Sequence, residues 1–238
     1  MSTISSPTTR DTNFNQAARR AFDIALAATS LVALSPIMLL IAVAIMLESG
    51  RPVLFSHTRL GLNGRHFRMH KFRKFRNDCS ATGLQVTLEG DARLTKVGTF
   101  LRATKLDELP QLWNVLVGDM SVIGPRPEST GYSDCFKNGF EEILEYKPGV
   151  LGPSQVRFRD EGALFPGEGD ADAFYRSVLF PLKARIDLEY YSVRTLRGDL
   201  GWLFEGVLAT LGLKKHASPL EGIDVLAETA LPEMRKAS

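Results

Sequence analysis

The sequence predicts a helix-rich α/β protein with a small antiparallel β-hairpin, joined to an N-terminal helix that enters and leaves a membrane by the same face, a monotopic arrangement. Three observations carry this expectation. Ile24–Leu47 is a run of 24 uncharged residues with Ser35-Pro36 at its middle. Val53–Phe72 alternates like two strands about Leu62-Asn63-Gly64, a turn-forming tripeptide. Much of the remaining chain places apolar residues at helical spacing.

Composition narrows the class. The 238 residues are 44% hydrophobic and 24% charged, which excludes a wholly disordered chain. A mean hydropathy of -0.05 makes any membrane attachment local. A net charge of +2 is too mild to imply nucleic acid. The charge is unevenly placed: Ser49–Asn77 holds eight Lys or Arg and no Asp or Glu. That stretch suits either a solvated basic face or a surface turned towards phosphates. Cys79 and Cys135 have neither metal-like nor redox-like spacing, and four scattered histidines offer no zinc site.

The elements follow in order. Residues 1–18 are polar and read as a disordered leader. Residues 19–50 form the membrane helix. As a helix its 24-residue apolar run would reach about 36 Å, enough to cross a bilayer core. Pro36 predicts a kink, and Arg19, Arg20, Arg51 and Arg59 place positive charge at both ends, favouring a re-entrant path. A plain spanning helix with a tolerated proline is the competing reading. Residues 51–216 form the globular domain: the hairpin, a polar loop at 77–92, a helix over Arg93–Leu101, and a helix opened by Asp107 and ended by Gly118. Gly124-Pro125-Arg126-Pro127 must be a rigid turn. Residues 147–170 read as a Gly- and Pro-rich loop, and Ala171–Tyr191 as helix. Leu200, Leu203, Phe204, Val207, Leu208 and Leu211 make an amphipathic stripe running to Lys214-Lys215, suited to a core or a membrane surface. Residues 217–238 read as a peripheral tail.

Asp107-Glu108 is the chemical candidate. An adjacent acid pair is usually a solvated surface or a helix cap. Here Arg102 and Lys105 precede it, Arg126 follows between two prolines, and the hairpin ends in Lys71 and Arg73. Together they could set two carboxylates beside a cationic, phosphate-holding pocket. Attack by a carboxylate on an anionic phosphate needs charge neutralised, so Mg²⁺ is the expected cofactor.

These residues resemble a family. Arg20-Ala21-Phe22-Asp23, Ser35-Pro36, Lys71-Phe72-Arg73, Leu106-Asp107-Glu108-Leu109-Pro110-Gln111-Leu112, Gly118-Asp119-Met120-Ser121, Gly124-Pro125-Arg126-Pro127, Lys147-Pro148-Gly149 and Gln155-Val156 occur in that order. The chain from about Arg19 to Leu213 is similar to the bacterial sugar transferases, monotopic phosphoglycosyl transferases, in their short catalytic-core form. The resemblance implies a helix kinked at Ser35-Pro36 in the bacterial inner membrane and a catalytic domain on the cytoplasmic face. It implies that Asp107 attacks a UDP-sugar, expels UMP and passes the phosphosugar to polyprenol (undecaprenyl) phosphate, with Glu108 as base or in placing the acceptor and Mg²⁺ at Asp107. Lys71 and Arg126 would bind phosphate oxygens, with Arg73, Arg102, Gln155 and Asp187 in the same substrate-binding set. Lys74 and Arg157-Phe158-Arg159 depart from the family pattern. Self-association is left open, as are a nucleotide-sugar phosphohydrolase and a non-enzymatic adaptor for anionic lipid.

Overall fold

The computed structural model describes residues 13–77, 91–137, 139–165 and 170–213. Helix α1 (Asn13–Ser49) comes first. It begins within the predicted leader, so residues 13–18 are helical; residues 1–12, the predicted tail, Lys214-Lys215, Cys79 and most of the 77–92 loop lie outside the described residues. From Gln16 to Ser49 the helix is long and apolar enough to cross a membrane, with a mean hydropathy of 2.6 in its most apolar window.

Pro36 lies inside α1 and cannot donate to the carbonyl four residues back, Val32 O. The Ser35 hydroxyl donates to that carbonyl at 2.8 Å instead. Val32 is 76% exposed and Leu40 69% exposed, so the middle of the helix stands clear of the domain. In hydrocarbon an unpartnered carbonyl there would be costly, which gives the Ser-Pro pair a physical basis.

Both ends of α1 are fastened to the same domain. At the first, Arg20 donates to Val115 O (2.6 Å) and Leu116 O (2.8 Å), capping another helix. Asp23 accepts from Val122 N (2.9 Å) and Ser121 Oγ (2.8 Å). At the other, Ile41 and Ile45 pack with Phe72 and Leu101. Glu48 accepts from the backbone N–H of Lys96 (2.8 Å) and Val97 (2.9 Å).

Strands β1 (Leu54–Leu60) and β2 (His66–Phe72) form the expected antiparallel hairpin, in register from Leu54↔Phe72 to Leu60↔His66. Asn63 at the turn has φ 54°, a conformation that Asn tolerates. Helix α2 (Lys96–Thr104) starts later than the predicted Arg93. Thr95 is its cap, its Oγ1 accepting from Gly98 N at 2.8 Å, whereas Arg93 pairs with Asp91.

Asp107 departs from its predicted cap role. Leu106–Glu108 is a separate 3-10 turn, Leu109 and Pro110 follow, and helix α3 (Gln111–Val117) starts only at Gln111. The residue at the cap position of α3 is Pro110, which has no side-chain cap hydrogen bond. Gly118 ends α3 as expected, with φ 102°.

Strand β3 (Ser121–Ile123) pairs in parallel with β4 (Gly149–Leu151), inside the stretch read as loop. Three-residue strands carry too little period for sequence to reveal. Their backbones cross so closely at Gly124 and Gly149 that a Cβ on Gly149 would sit 2.0 Å from Gly124 N. The Gly124–Pro127 turn is non-helical, as predicted. Helix α4 (Pro153–Arg157) follows. Helix α5 (Ala171–Phe174) then runs through a π-turn (Tyr175–Leu179) into α6 (Phe180–Tyr191), matching the predicted span. Helix α7 (Leu196–Thr210) buries Gly206 and Ala209, while Leu200, Phe204, Val207 and Leu211 are exposed, so most of the stripe stays out of the core.

Candidate active site

The acid pair sits where α2 hands over to α3, opposite the end of β2. Lys105 makes the corner, with φ 60°, a left-handed conformation rare outside glycine and asparagine. Its ammonium donates to Arg159 O at 2.8 Å, which holds the corner in place. The turn delivers Asp107 to the interior, where it is 3% exposed.

Each carboxylate meets its own lysine. Lys71, near the end of β2, donates from Nζ to Glu108 Oε1 at 2.6 Å. Lys74, just past the strand, brings Nζ to 3.8 Å from Asp107 Oδ2. Asn114 sets the distance between the two elements. Its Nδ2 donates to Arg68 O (2.8 Å) and its Oδ1 accepts from His70 N (3.0 Å). A fully buried carboxamide thus pairs with the outer edge of β2 like a short strand and locks α3 to the lysine-bearing end of the hairpin.

The environment pulls the two acids apart. Burial pushes the Asp107 carboxyl up, and the adjacent Glu108 charge adds to this, against Lys71, Lys74 and Lys105. Burial would raise Glu108 too, but Lys71 and Arg126 outweigh it and hold the group at about 2. Opposed shifts in neighbouring acids are a signature of divided labour in active sites. Glu108 is therefore ionised, and Asp107 is the member whose charge lacks compensation.

Behind the pair lies a second charged layer. Arg126 approaches Glu161 at 3.7 Å. Lys183 contacts Glu161 (2.9 Å), Glu128 (3.5 Å) and the Tyr175 hydroxyl (3.1 Å). This layer aims Arg126 at Glu108, whose low value partly reflects it. Glu128, Glu161, Lys183 and Asn114 were missed in the sequence. Glu128 directly follows the Pro-Arg-Pro turn, the one available hint; Lys183 sits in a plain helix and gives none.

The predicted binding set divides. Lys71 and Arg126 are brought to the acid pair. Arg73 is not: its guanidinium donates to Ser49 O (3.0 Å), Ser49 Oγ (2.8 Å) and Gly50 O (2.8 Å) and also bonds Asn77, so it ties the end of α1 to the hairpin. Arg102, on α2, is felt by Asp91. Gln155 donates to Gly124 O (3.1 Å) and Gly149 O (3.3 Å), bracing the Pro-Arg-Pro turn. Asp187 accepts from Ser154 N (3.1 Å) and Oγ (2.8 Å), and burial raises it to about 7.

Among the described residues no cluster of three or more His, Cys, Asp or Glu side chains exists. Asp107 and Glu108 supply two carboxylates. That set fits Mg²⁺, which is commonly held by one or two carboxylates, waters and the substrate's own phosphates.

A bacterial sugar transferase family profile matches residues 14–212. The exopolysaccharide production protein PSS of Rhizobium leguminosarum bv. phaseoli is 42% identical over 146 residues, covering 58% of this chain and 73% of that protein. The UDP-glucose:undecaprenyl-phosphate glucose-1-phosphate transferase of Escherichia coli strain K12 is 42% identical over 148 residues, 60% of this chain and 31% of its own. The UDP-N-acetylgalactosamine-undecaprenyl-phosphate N-acetylgalactosaminephosphotransferase of Aeromonas hydrophila is 43% identical over 144 residues, 58% of this chain and 33% of its own. The chain thus spans about a third of the length of these last two relatives. The match takes in α1, the hairpin, the acid pair and α7 alike, and the chain belongs to the bacterial sugar transferase family.

Proposed function

We propose that the protein moves a sugar-1-phosphate from a UDP-sugar to polyprenol phosphate through a covalent intermediate on Asp107. The observation that carries this is the buried, under-compensated carboxylate of Asp107 beside an ionised Glu108, with Lys71, Lys74 and Arg126 around the pair. A carboxylate in that setting is poised to attack a phosphorus whose oxygens the cations hold. An Asp107 oxygen bonds to the β-phosphorus, the bond to the UMP oxygen breaks, and its electron pair leaves with UMP. A phosphate oxygen of polyprenol phosphate then attacks the same phosphorus. The bond to Asp107 breaks, freeing the carboxylate and releasing polyprenyl-diphosphate-sugar. Glu108, held at about 2, is a poor proton acceptor, which favours a role in positioning Lys71 and the acceptor over a role as base. Mg²⁺ held by Asp107 and Glu108 would offset the diphosphate charge.

Attachment of both ends of α1 to one domain supports a helix that enters and leaves a membrane by one face, with the exposed Val32–Leu40 segment inserted. Cysteines introduced at Arg20 and Gly50 should react with an impermeant reagent from the same side of sealed vesicles. Reaction from opposite sides rejects the re-entrant path.

The direct test is UMP release from a panel of UDP-sugars with Mg²⁺, with and without polyprenol phosphate. Sustained turnover that needs the lipid and yields a lipid-linked sugar diphosphate is the expected result. Sustained turnover without lipid, giving free sugar phosphate, would make the protein a hydrolase and end the proposal.

A further inference from the structure

The main chain at Lys74 is held more firmly than an exposed residue past a strand end would require. Thr95 N donates to Lys74 O at 3.0 Å. The first turn of α2 lies directly on the same peptide: a Cβ on Gly98 would fall 1.9 Å from Lys74 O and 2.7 Å from its carbonyl carbon. Only glycine permits that approach. Thr95 caps α2 through Gly98 N, so one short segment both starts the helix and fixes Lys74.

The side chain so fixed points inward. Its ammonium lies 3.8 Å from Asp107 Oδ2, and the side chain is 20% exposed. At that distance it is beyond a hydrogen bond to the carboxylate but well placed to interact with it by charge. It also lies 5.5 Å from the centroid of the Phe75 ring. A pinned, largely desolvated ammonium with a loose partner has room to accept a stronger one. Lys71, by contrast, already holds Glu108 at 2.6 Å.

We propose that Lys74 is a catalytic cation of the transfer reaction, its ammonium bridging the attacking carboxylate of Asp107 and a non-bridging oxygen of the phosphorus under attack. This inference rests on the covalent mechanism proposed above and assigns the group that screens the nucleophile from the diphosphate. As the bond from Asp107 to phosphorus forms and the bond to UMP breaks, negative charge gathers on the phosphoryl oxygens. Lys74 meets that charge and gives up no proton. In the second half-reaction the same ammonium stabilises the carboxylate as it leaves. Glu108, held by Lys71 at 2.6 Å, is then left to face the acceptor.

The test isolates the first half-reaction. Release of UMP is followed in a single turnover, without lipid acceptor, using the most active donor from a panel that includes UDP-glucose and UDP-N-acetylgalactosamine. Wild type should release up to one UMP per protein, and Asp107→Asn none. Lys74→Met should slow the release on the order of 10²-fold, the usual effect of removing one charge-stabilising donor. Its thermal midpoint should stay near that of wild type, and Lys74→Arg, which keeps the charge, should recover most of the rate. Wild-type release in Lys74→Met overturns the role of Lys74 alone. Equal slowing in Lys74→Met and Lys74→Arg, with a lowered midpoint in both, assigns Lys74 to packing and also overturns it. No release from wild type removes the covalent mechanism, and the role of Lys74 falls with it.

Discussion

Two buried aspartates, Asp107 and Asp199, are 3% and 6% exposed and yet have opposite surroundings. Asp199 lies where α7 meets the start of α1. It accepts from Arg19 Nε (3.1 Å), the Tyr190 hydroxyl (2.7 Å) and Arg194 Nε at both oxygens (2.8 and 3.1 Å). Among the described residues Asp107 has one ionic contact, Lys74 at 3.8 Å. Burying a charge is costly unless it is paired and hydrogen-bonded. Asp199 meets that condition and holds an interface together. Asp107 does not, and the attack on phosphorus proposed for it would draw on that deficit. Burial alone therefore says little about the role of an acid; the number and length of its bonds say more.

The largest expected effect is on Asp107. Asp107→Asn should abolish measurable transfer, a loss on the order of 10⁶-fold, the scale of losing a nucleophile. Because a poorly compensated charge is removed, the thermal midpoint should be unchanged or slightly raised. A variant that stays active breaks the contrast outright. Asp199→Asn should do the reverse, since it leaves Arg19 and Arg194 without their carboxylate. Breaking a buried ion pair costs about 3–5 kcal/mol, a fall in midpoint on the order of 10 °C for a chain of this size. Activity per folded molecule should persist. If Asp199→Asn is instead stable and inactive, Asp199 belongs to the chemistry.

The smallest effect sharpens the comparison with an intermediate case. Asp187 has two hydrogen bonds from Ser154, and burial raises it to about 7 from 3.8. Between those values the unfolded chain loses the proton that the folded protein retains. This group therefore favours unfolding increasingly as pH rises from about 4 to 7, and adds no further slope above that. Unfolding of wild type and Asp187→Asn, measured across that window, should show stability falling more steeply with pH in wild type. Parallel curves would mean that Asp187 is ionised in the folded protein.

Much of this was legible in the sequence because the signals were local. The apolar run with Pro36, the Asn63-Gly64 turn, the Ala171–Tyr191 helix and the acid pair each depend on residues close in the chain. Arg73 shows the limit. Its position among basic residues suggested phosphate, yet the fold brings Ser49 and Gly50 within reach first, and three carbonyl or hydroxyl oxygens engage it. The β3–β4 pair joins residues far apart through three-residue strands, too short to carry a period. Asn114 and Lys183 matter through partners 44 and 55 residues away, His70 and Glu128, which no spacing rule connects. Asp107 reads as a helix cap until the 3-10 turn at Leu106–Glu108 separates it from α3.

The fastening of both ends of α1 has a geometric consequence. A helix held at one end is a tether, and the domain on it can rise, tilt and drift over the surface. Held at Arg20 and again at Glu48, it works like the fixed fence of a depth gauge. On the proposed re-entrant path, immersion of the apolar middle would set the height of the Asp107 carboxylate above the lipid plane. Acceptors that differ in tail length but share a headgroup would present their phosphates at the same level, so discrimination among them has to come from the headgroup end and not from reach.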